Sequence, residues 1–182
     1  MAEIRIENVV ASTAIAPELD LNALAVAITE AEYDPGRFPG LVLRMKDPKT
    51  AALLFRSGKV VCTGAQSLAD VDRAIALVCK KVEAAGSKAI NHSPIIQIQN
   101  IVASSNLHAD LNLNAIAMGL GLEHVEYEPE QFPGLVYRMA DPKVVLLLFG
   151  SGKLVCTGAK KPEDASRAVD KVRAELSALG LI

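Results

Sequence analysis

Apolar and polar positions alternate with two different periods, and the order of those periods repeats. Residues 4–12 are β-rich and read as a strand. Leu21–Ala31 places apolar residues at helical spacing behind Asp20, which predicts a helix with that aspartate as its N-cap. Asp34-Pro35-Gly36 is turn chemistry. Leu41–Met45, Ala51–Phe55 and Lys59–Thr63 follow as short strands, punctuated by Asp47-Pro48-Lys49 and Ser57-Gly58 as hairpins. Ser67–Ala85 predicts a long amphipathic helix, capped by Ser67 and stopped by Gly86. Its stripe is Leu68, Val71, Ala74, Ile75, Val78 and Val82.

The same succession then recurs. Ile4–Ser12 matches Ile96–Ser104, Tyr33–Val42 matches Tyr127–Val136, and Ser57–Ala65 matches Ser151–Ala159. Half the aligned positions are identical, which makes the chain two direct repeats, 1–91 and 92–182, joined near Ser87–Pro94. Each repeat reads strand, helix, several antiparallel strands, helix. The fold class is α+β, with helices on one face of a sheet.

A sheet covered on one side should alternate apolar and polar residues. These strands carry apolar residues on both sides: Val60 and Cys62 against Val61 and Thr63, Ala52 and Leu54 against Leu53 and Phe55, Val9 against Asn8 and Val10. Two helices per repeat cover one face and leave the other largely apolar and uncovered. A self-association surface, giving a homodimer of the free protein, or an unusual sandwich is one reading. A ligand-binding surface is the other.

The aromatic residues bear on that choice. The four phenylalanines form two repeat-related pairs at turns, Phe38 with Phe55 and Phe132 with Phe149. Basic residues flank the same strands: Arg37, Arg44, Lys49, Arg56, Lys59, Arg138, Lys143 and Lys153. An apolar face with Asn and Thr, rimmed by cations and ended by Phe wedges, fits binding in the DNA minor groove. The groove's sparse acceptors separate A·T from G·C pairs only. A protein-only interaction module using the apolar face is the competing function.

Composition excludes other classes. With 51% hydrophobic and 22% charged residues, the chain of 182 residues is neither disordered nor of low complexity. The longest aliphatic run, Val144–Phe149, is too short to span a bilayer, and the first residues lack the apolar core of a secretory signal. A net charge of −2 argues against nonspecific polyanion binding but not against a local basic surface. Cys62, Cys79 and Cys156 cannot make a disulfide framework and fit a reducing compartment. His92, His108 and His124 do not recur between repeats, Cys62 and Cys156 stand alone in their strands, and Gly119-Leu120-Gly121 follows no strand. No catalytic constellation, metal site or cofactor motif emerges, so an enzyme is not expected.

Three segments carry a resemblance: Gln99–Val102, Glu128–Met139 and Phe55–Ala65. With the direct repeat, they make the chain similar over nearly its whole length to the TATA-box-binding protein family, in its archaeal form. The resemblance implies a saddle of one curved ten-stranded antiparallel sheet with four helices on its convex side. It implies a general initiation factor that binds and bends an A·T-rich promoter element and recruits transcription factor B and RNA polymerase. It also implies a cytoplasmic, nucleoid-associated protein without cofactor or membrane contact.

Carried over by position, Asn8 and Asn100, with Thr63 and Thr157, would hydrogen-bond central base edges. Val10, Leu53, Val61, Val102, Leu147 and Val155 would line the groove floor. The two Phe pairs would wedge into base steps, with Pro39 and Pro133 beside them; the family often has alanine at the position of Pro39. Arg44, Lys59, Arg138 and Lys153 would take phosphates. Glu128 and Glu130, in a turn more acidic than its first-repeat counterpart, would contact transcription factor B.

Overall fold

The computed structural model describes all residues, Met1–Ile182. The elements run β1 (Arg5–Ala14), α1 (Leu21–Ala27), β2 (Ala31–Glu32), β3 (Leu41–Lys46), β4 (Lys49–Leu54), β5 (Lys59–Ala65) and α2 (Leu68–Ala84). The series then repeats as β6 (Gln97–Asn106), α3 (Leu113–Leu120), β7 (Val125–Glu126), β8 (Leu135–Met139), β9 (Val144–Leu148), β10 (Lys153–Ala159) and α4 (Pro162–Ala178). The strands form one ten-stranded sheet in the order β2-β3-β4-β5-β1-β6-β10-β9-β8-β7, with antiparallel pairing within each half. The α+β class is the one the residue pattern predicts, and the ten strands and four helices are those the resemblance implies.

The first helix is shorter than expected. Asp20 caps it as predicted, its carboxylate accepting from the Ala23 N–H at 3.1 Å. The helix stops at Ala27 because Ile28 takes an extended conformation, φ −105° and ψ 110°. Ala31, assigned to the helix by spacing, instead begins β2. Ser67 caps α2, accepting from Asp70 N–H at 3.0 Å. The buried stripe of α2 is Val71, Ala74, Ile75, Val78, Cys79 and Val82; Leu68, expected on it, is 40% exposed in the first turn. Lys161 cannot cap α4, and Pro162 with Glu163 and Asp164 in the first turn takes over that end.

Compactness groups the chain differently from sequence repetition. One compact unit is Asn8–Gln99; the other joins Met1–Glu7 to Asn100–Ile182. In the first unit, α2 packs on β4 and β5; in the second, α4 packs on β9 and β10. The covered sheet face is largely apolar, with Thr13 and Thr50 as buried polar residues. Leu41, Leu43, Ala52, Leu54, Val60 and Cys62 lie at 0% exposure in one unit, and Leu135, Leu146, Leu148 and Cys156 do so in the other. An arginine clamps each long helix to a hairpin: Arg73 bridges Asp47 and Asp70, and Arg167 bridges Asp141 and Asp164, all within 3.1 Å.

Candidate nucleic-acid interface

With helices over one side, the alternate residues of each strand form an open face, and strand register arranges them in rows. In the first unit one row runs Val42, Leu53, Val61, Ser12, and the next contains Arg44, Ala51 and Thr63 beside Val10. In the second the rows are Val136, Leu147, Val155, Ser104 and Arg138, Val145, Thr157, Val102. All but buried Ser12 are half-buried or exposed, while their strand neighbours are sealed under the helices. The predicted floor residues Val10, Leu53, Val61, Val102, Leu147 and Val155 therefore share open faces with the predicted polar residues. Alternation alone would also have added Val42, Val136, Ala51 and Val145. Glu7, which accepts from the Ser104 hydroxyl at 2.8 Å, and Gln99, which donates to Ser12 at 2.8 Å, were also missed.

The asparagines are held by a bulge. Strand register slips between Val9 and Ala11 opposite β5, and again at Thr157 and Ala159 opposite β6. Gly64 and Gly158 supply the required positive φ, 97° and 101°. Each glycine N–H donates to the asparagine Oδ1 at 2.6 Å, Gly64 to Asn8 and Gly158 to Asn100. An N–H can only be met by the amide oxygen, so this bond fixes which end of the amide is nitrogen. Nδ2 then donates to the threonine hydroxyl, at 3.3 Å from Asn8 to Thr63 and 3.2 Å from Asn100 to Thr157. One amide proton of each asparagine remains for an outside acceptor.

The phenylalanines meet edge to face. Both pairs have centroids 5.9 Å apart, with interplanar angles of 66° and 68°. Phe38 and Phe132 remain 38% and 40% exposed, and Phe55 and Phe149 are half-buried. Gly40 and Gly134 make the pairing fit: a Cβ on either would come within 2.7 Å of the Phe38 or Phe132 ring. Pro39 and Pro133 are exposed beside the pairs.

The cations stand at the margins of the same faces. Arg44 pairs with Glu32 at 2.6 Å and Arg138 with Glu126 at 3.5 Å, both pairs solvent-exposed. Exposed pairs are worth little, so a phosphate can replace either carboxylate. Lys59 and Lys153 are exposed and precede Val61 and Val155 on the open side. Glu128 and Glu130 are exposed in the β7–β8 turn, where the Gln131 and Phe132 N–H groups both donate to the Glu128 carbonyl at 2.9 Å.

Burial pushes the Cys62 and Cys156 thiols up to about 11, with Asp164 adding to the effect at Cys156, so both stay protonated and unreactive at neutral pH. His92 meets Glu83 at 2.8 Å on the surface. No helix is long and apolar enough to cross a membrane.

Known proteins are similar to this chain in sequence and in fold. The family model described as transcription factor TFIID, or TATA-binding protein, matches residues 3–85 and again 95–179. The chain belongs to the TATA-binding protein family. That family is one of transcription factors rather than enzymes. The chain is 58% identical over 180 residues to the TATA-box-binding protein of Archaeoglobus fulgidus, covering 99% of this chain and 98% of that one. It is 60% identical over 179 residues to TATA-box-binding protein E of Halobacterium salinarum, covering 98% and 96%. The solved structure of Methanococcus jannaschii TBP superposes with a TM-score of 0.89 at 51% identity, over 97% of this chain and 99% of that one.

Proposed function

We propose that the chain is a general transcription initiation factor that binds an A·T-rich promoter element through the minor groove. In this reading each unit's open face takes one half of the element. The observation that carries it is the asparagine amide held by the bulge glycine on an apolar face, in both repeats. Oriented this way, Asn8 and Asn100 offer N–H donors. A·T pairs present only acceptors in the minor groove, adenine N3 and thymine O2, whereas guanine adds an amino donor. Donor facing donor disfavours G·C at the centre.

The surrounding residues supply the rest. Val10, Leu53, Val61, Val102, Leu147 and Val155 pack on sugars and base edges. Phe38 with Phe55, and Phe132 with Phe149, enter base steps beside Pro39 and Pro133 and bend the duplex; unstacking costs a few kcal/mol per step and is offset by the larger contact area. Arg44, Lys59, Arg138 and Lys153 take phosphates. Without DNA, the bare apolar faces support a homodimer. The factor acts in the cytoplasm, on the nucleoid. The names of the relatives, TATA-box-binding proteins of archaea, support the same target. Fluorescence anisotropy with A·T-rich and G·C-rich duplexes at one salt concentration tests the reading. Binding to the first alone is expected; equal binding to both contradicts it, and binding to neither returns the face to a protein-only role.

Salt isolates the phosphate contacts. Each neutralised phosphate contributes about 0.9 to the slope of log affinity against log salt. Lys59→Ala or Lys153→Ala should lower that slope by about one contact and leave base preference unchanged. A titration series read against both duplexes checks this; a changed preference at constant slope contradicts the assignment.

Glu128 and Glu130 complete the proposal. They form an exposed acidic turn where the first repeat has Asp34 and Gly36. An acidic turn beside a DNA-binding face suits a basic protein partner better than phosphate. In this reading the partner is transcription factor B, which then brings RNA polymerase. Reversing both charges to lysine should abolish the ternary complex in gel shifts and leave the binary DNA complex intact. An unaffected ternary complex contradicts the role.

A further inference from the structure

The open faces of the two units are almost copies of one another. Row for row, the side chains of the Asn8–Gln99 unit recur in the other, except that Val145 stands for Ala51. Both of those are apolar and offer a base edge neither donor nor acceptor. The asparagines, the Phe pairs, the prolines and the proposed phosphate contacts recur as well. In the turns, Gln131 and Gly150 stand for Arg37 and Arg56. Cations there meet phosphates, which carry no sequence information.

One polar difference is left on the faces themselves. The row Val136, Leu147, Val155, Ser104 ends on a hydroxyl that donates to Glu7 Oε1 at 2.8 Å. The matching row of the Asn8–Gln99 unit ends on Ser12, which accepts from Gln99 Nε2 at 2.8 Å. Glu7 and Gln99 are one position of the repeat, and each lies within the unit whose row it extends, because Met1–Glu7 joins Asn100–Ile182. The Glu7 side chain is 40% exposed, so a ligand on the face can reach it. Arg5 approaches Oε1 at 3.5 Å, and Oε2 is left without a protein partner.

We infer that Glu7 is a specificity-determining residue: it lets the Asn100–Ile182 unit accept a G·C pair where the other unit requires A·T, and so gives the bound chain a direction. The inference rests on the DNA reading above. An A·T pair shows only acceptors in the minor groove, and a carboxylate has no proton to offer them. Guanine adds an amino donor, which suits Oε2. Gln99 differs in the property that counts. Its amide has two protons and uses one on Ser12, so a donor remains for adenine N3 or thymine O2. Arg5 does not cancel the difference, since its pair with Glu7 is exposed and therefore weak.

The test uses the full chain and a self-complementary A·T-rich duplex with a dye at one end. Cys62, Cys79 and Cys156 are buried, so Lys80→Cys, on the exposed side of α2, takes the second dye selectively. Energy transfer then reports the two orientations, which should be equally occupied on this duplex. In a series that changes one A·T pair at a time to G·C, at least one position should bias them about tenfold, with the Asn100–Ile182 unit over the G·C side. Glu7→Gln should abolish that bias, and Glu7→Gln combined with Gln99→Glu should reverse it. Both side chains are exposed and the exchanged groups have the same shape, so thermal melts should be unchanged. Arg56→Gly, which removes a rim difference, should leave the bias within about twofold. Even occupancy on every duplex, a bias that survives the Glu7 and Gln99 exchange, or one lost with Arg56→Gly overturns the inference and leaves the DNA reading standing. Absence of binding to the unsubstituted duplex overturns both.

Discussion

Leu146→Ala should lower the unfolding free energy by about 2–5 kcal/mol, while Leu147→Ala, one residue on, should spare the fold and weaken DNA binding. The two side chains have the same chemistry and opposite surroundings. Leu146 is fully buried on the helix-covered face, in register with Tyr137 and Cys156. Truncation there removes packing contacts and leaves a cavity that α4 and β10 can close only partly. In a domain of this size each kcal/mol moves the melting temperature by roughly 2–4 °C, so the loss is easily read by thermal denaturation. Leu147 is half-buried between Val136 and Val155 on the open face. Its remaining surface is free to be buried by DNA, and burying most of a leucine is worth about 1.5–3 kcal/mol in full. About tenfold weaker binding with a melting temperature close to that of the parent is expected. Equal destabilisation by both substitutions would mean that the open face is an ordinary core.

Asn8→Asp combined with Asn100→Asp should abolish specific binding at nearly unchanged stability. The carboxylate keeps an oxygen where Gly64 and Gly158 donate at 2.6 Å, so each bulge remains fastened. Its other oxygen replaces Nδ2. The threonine hydroxyls of Thr63 and Thr157 can turn their protons towards it, so the internal network survives. Outward, however, an acceptor and a negative charge now face groove acceptors. A well-placed base contact is worth about 1–3 kcal/mol, and two are lost together, so binding should fall by at least about 30-fold. Anisotropy beside a thermal melt checks both halves. Retained affinity would show that the amide donors do not touch the bases.

Much of this was legible before any coordinates. Val60 and Cys62 could be set against Val61 and Thr63 because side chains alternate along a strand between bulges, and the structure keeps that division. The Phe pairs were legible because repetition marked them; their edge-to-face contact and the glycine between them were not, since both depend on how a turn folds back. β2 and β7 escaped because two residues carry no period. Helix spacing overran Ala27, since Ile28 and Ala31 fit an apolar stripe equally well. The bulges escaped for a different reason. Thr63-Gly64 looks like the end of a strand, and only cross-strand register shows that Asn8 reaches the Gly64 N–H. The exchange of Met1–Glu7 into the other repeat's compact unit is a tertiary fact that no local pattern encodes.

The central claim is that the open faces bind A·T-rich DNA and bend it at the two phenylalanine pairs. The most direct measurement is energy transfer between dyes on the two ends of a short A·T-rich duplex, with and without the chain. The account predicts a large rise in transfer on binding, an unbent G·C-rich control, and progressive loss of the bend with Phe38→Ala, Phe132→Ala and their combination. Melting temperatures should change little, because these rings are more than a third exposed. Unchanged end-to-end distance on a duplex shown to be bound, or an intact bend in the double variant, would contradict it.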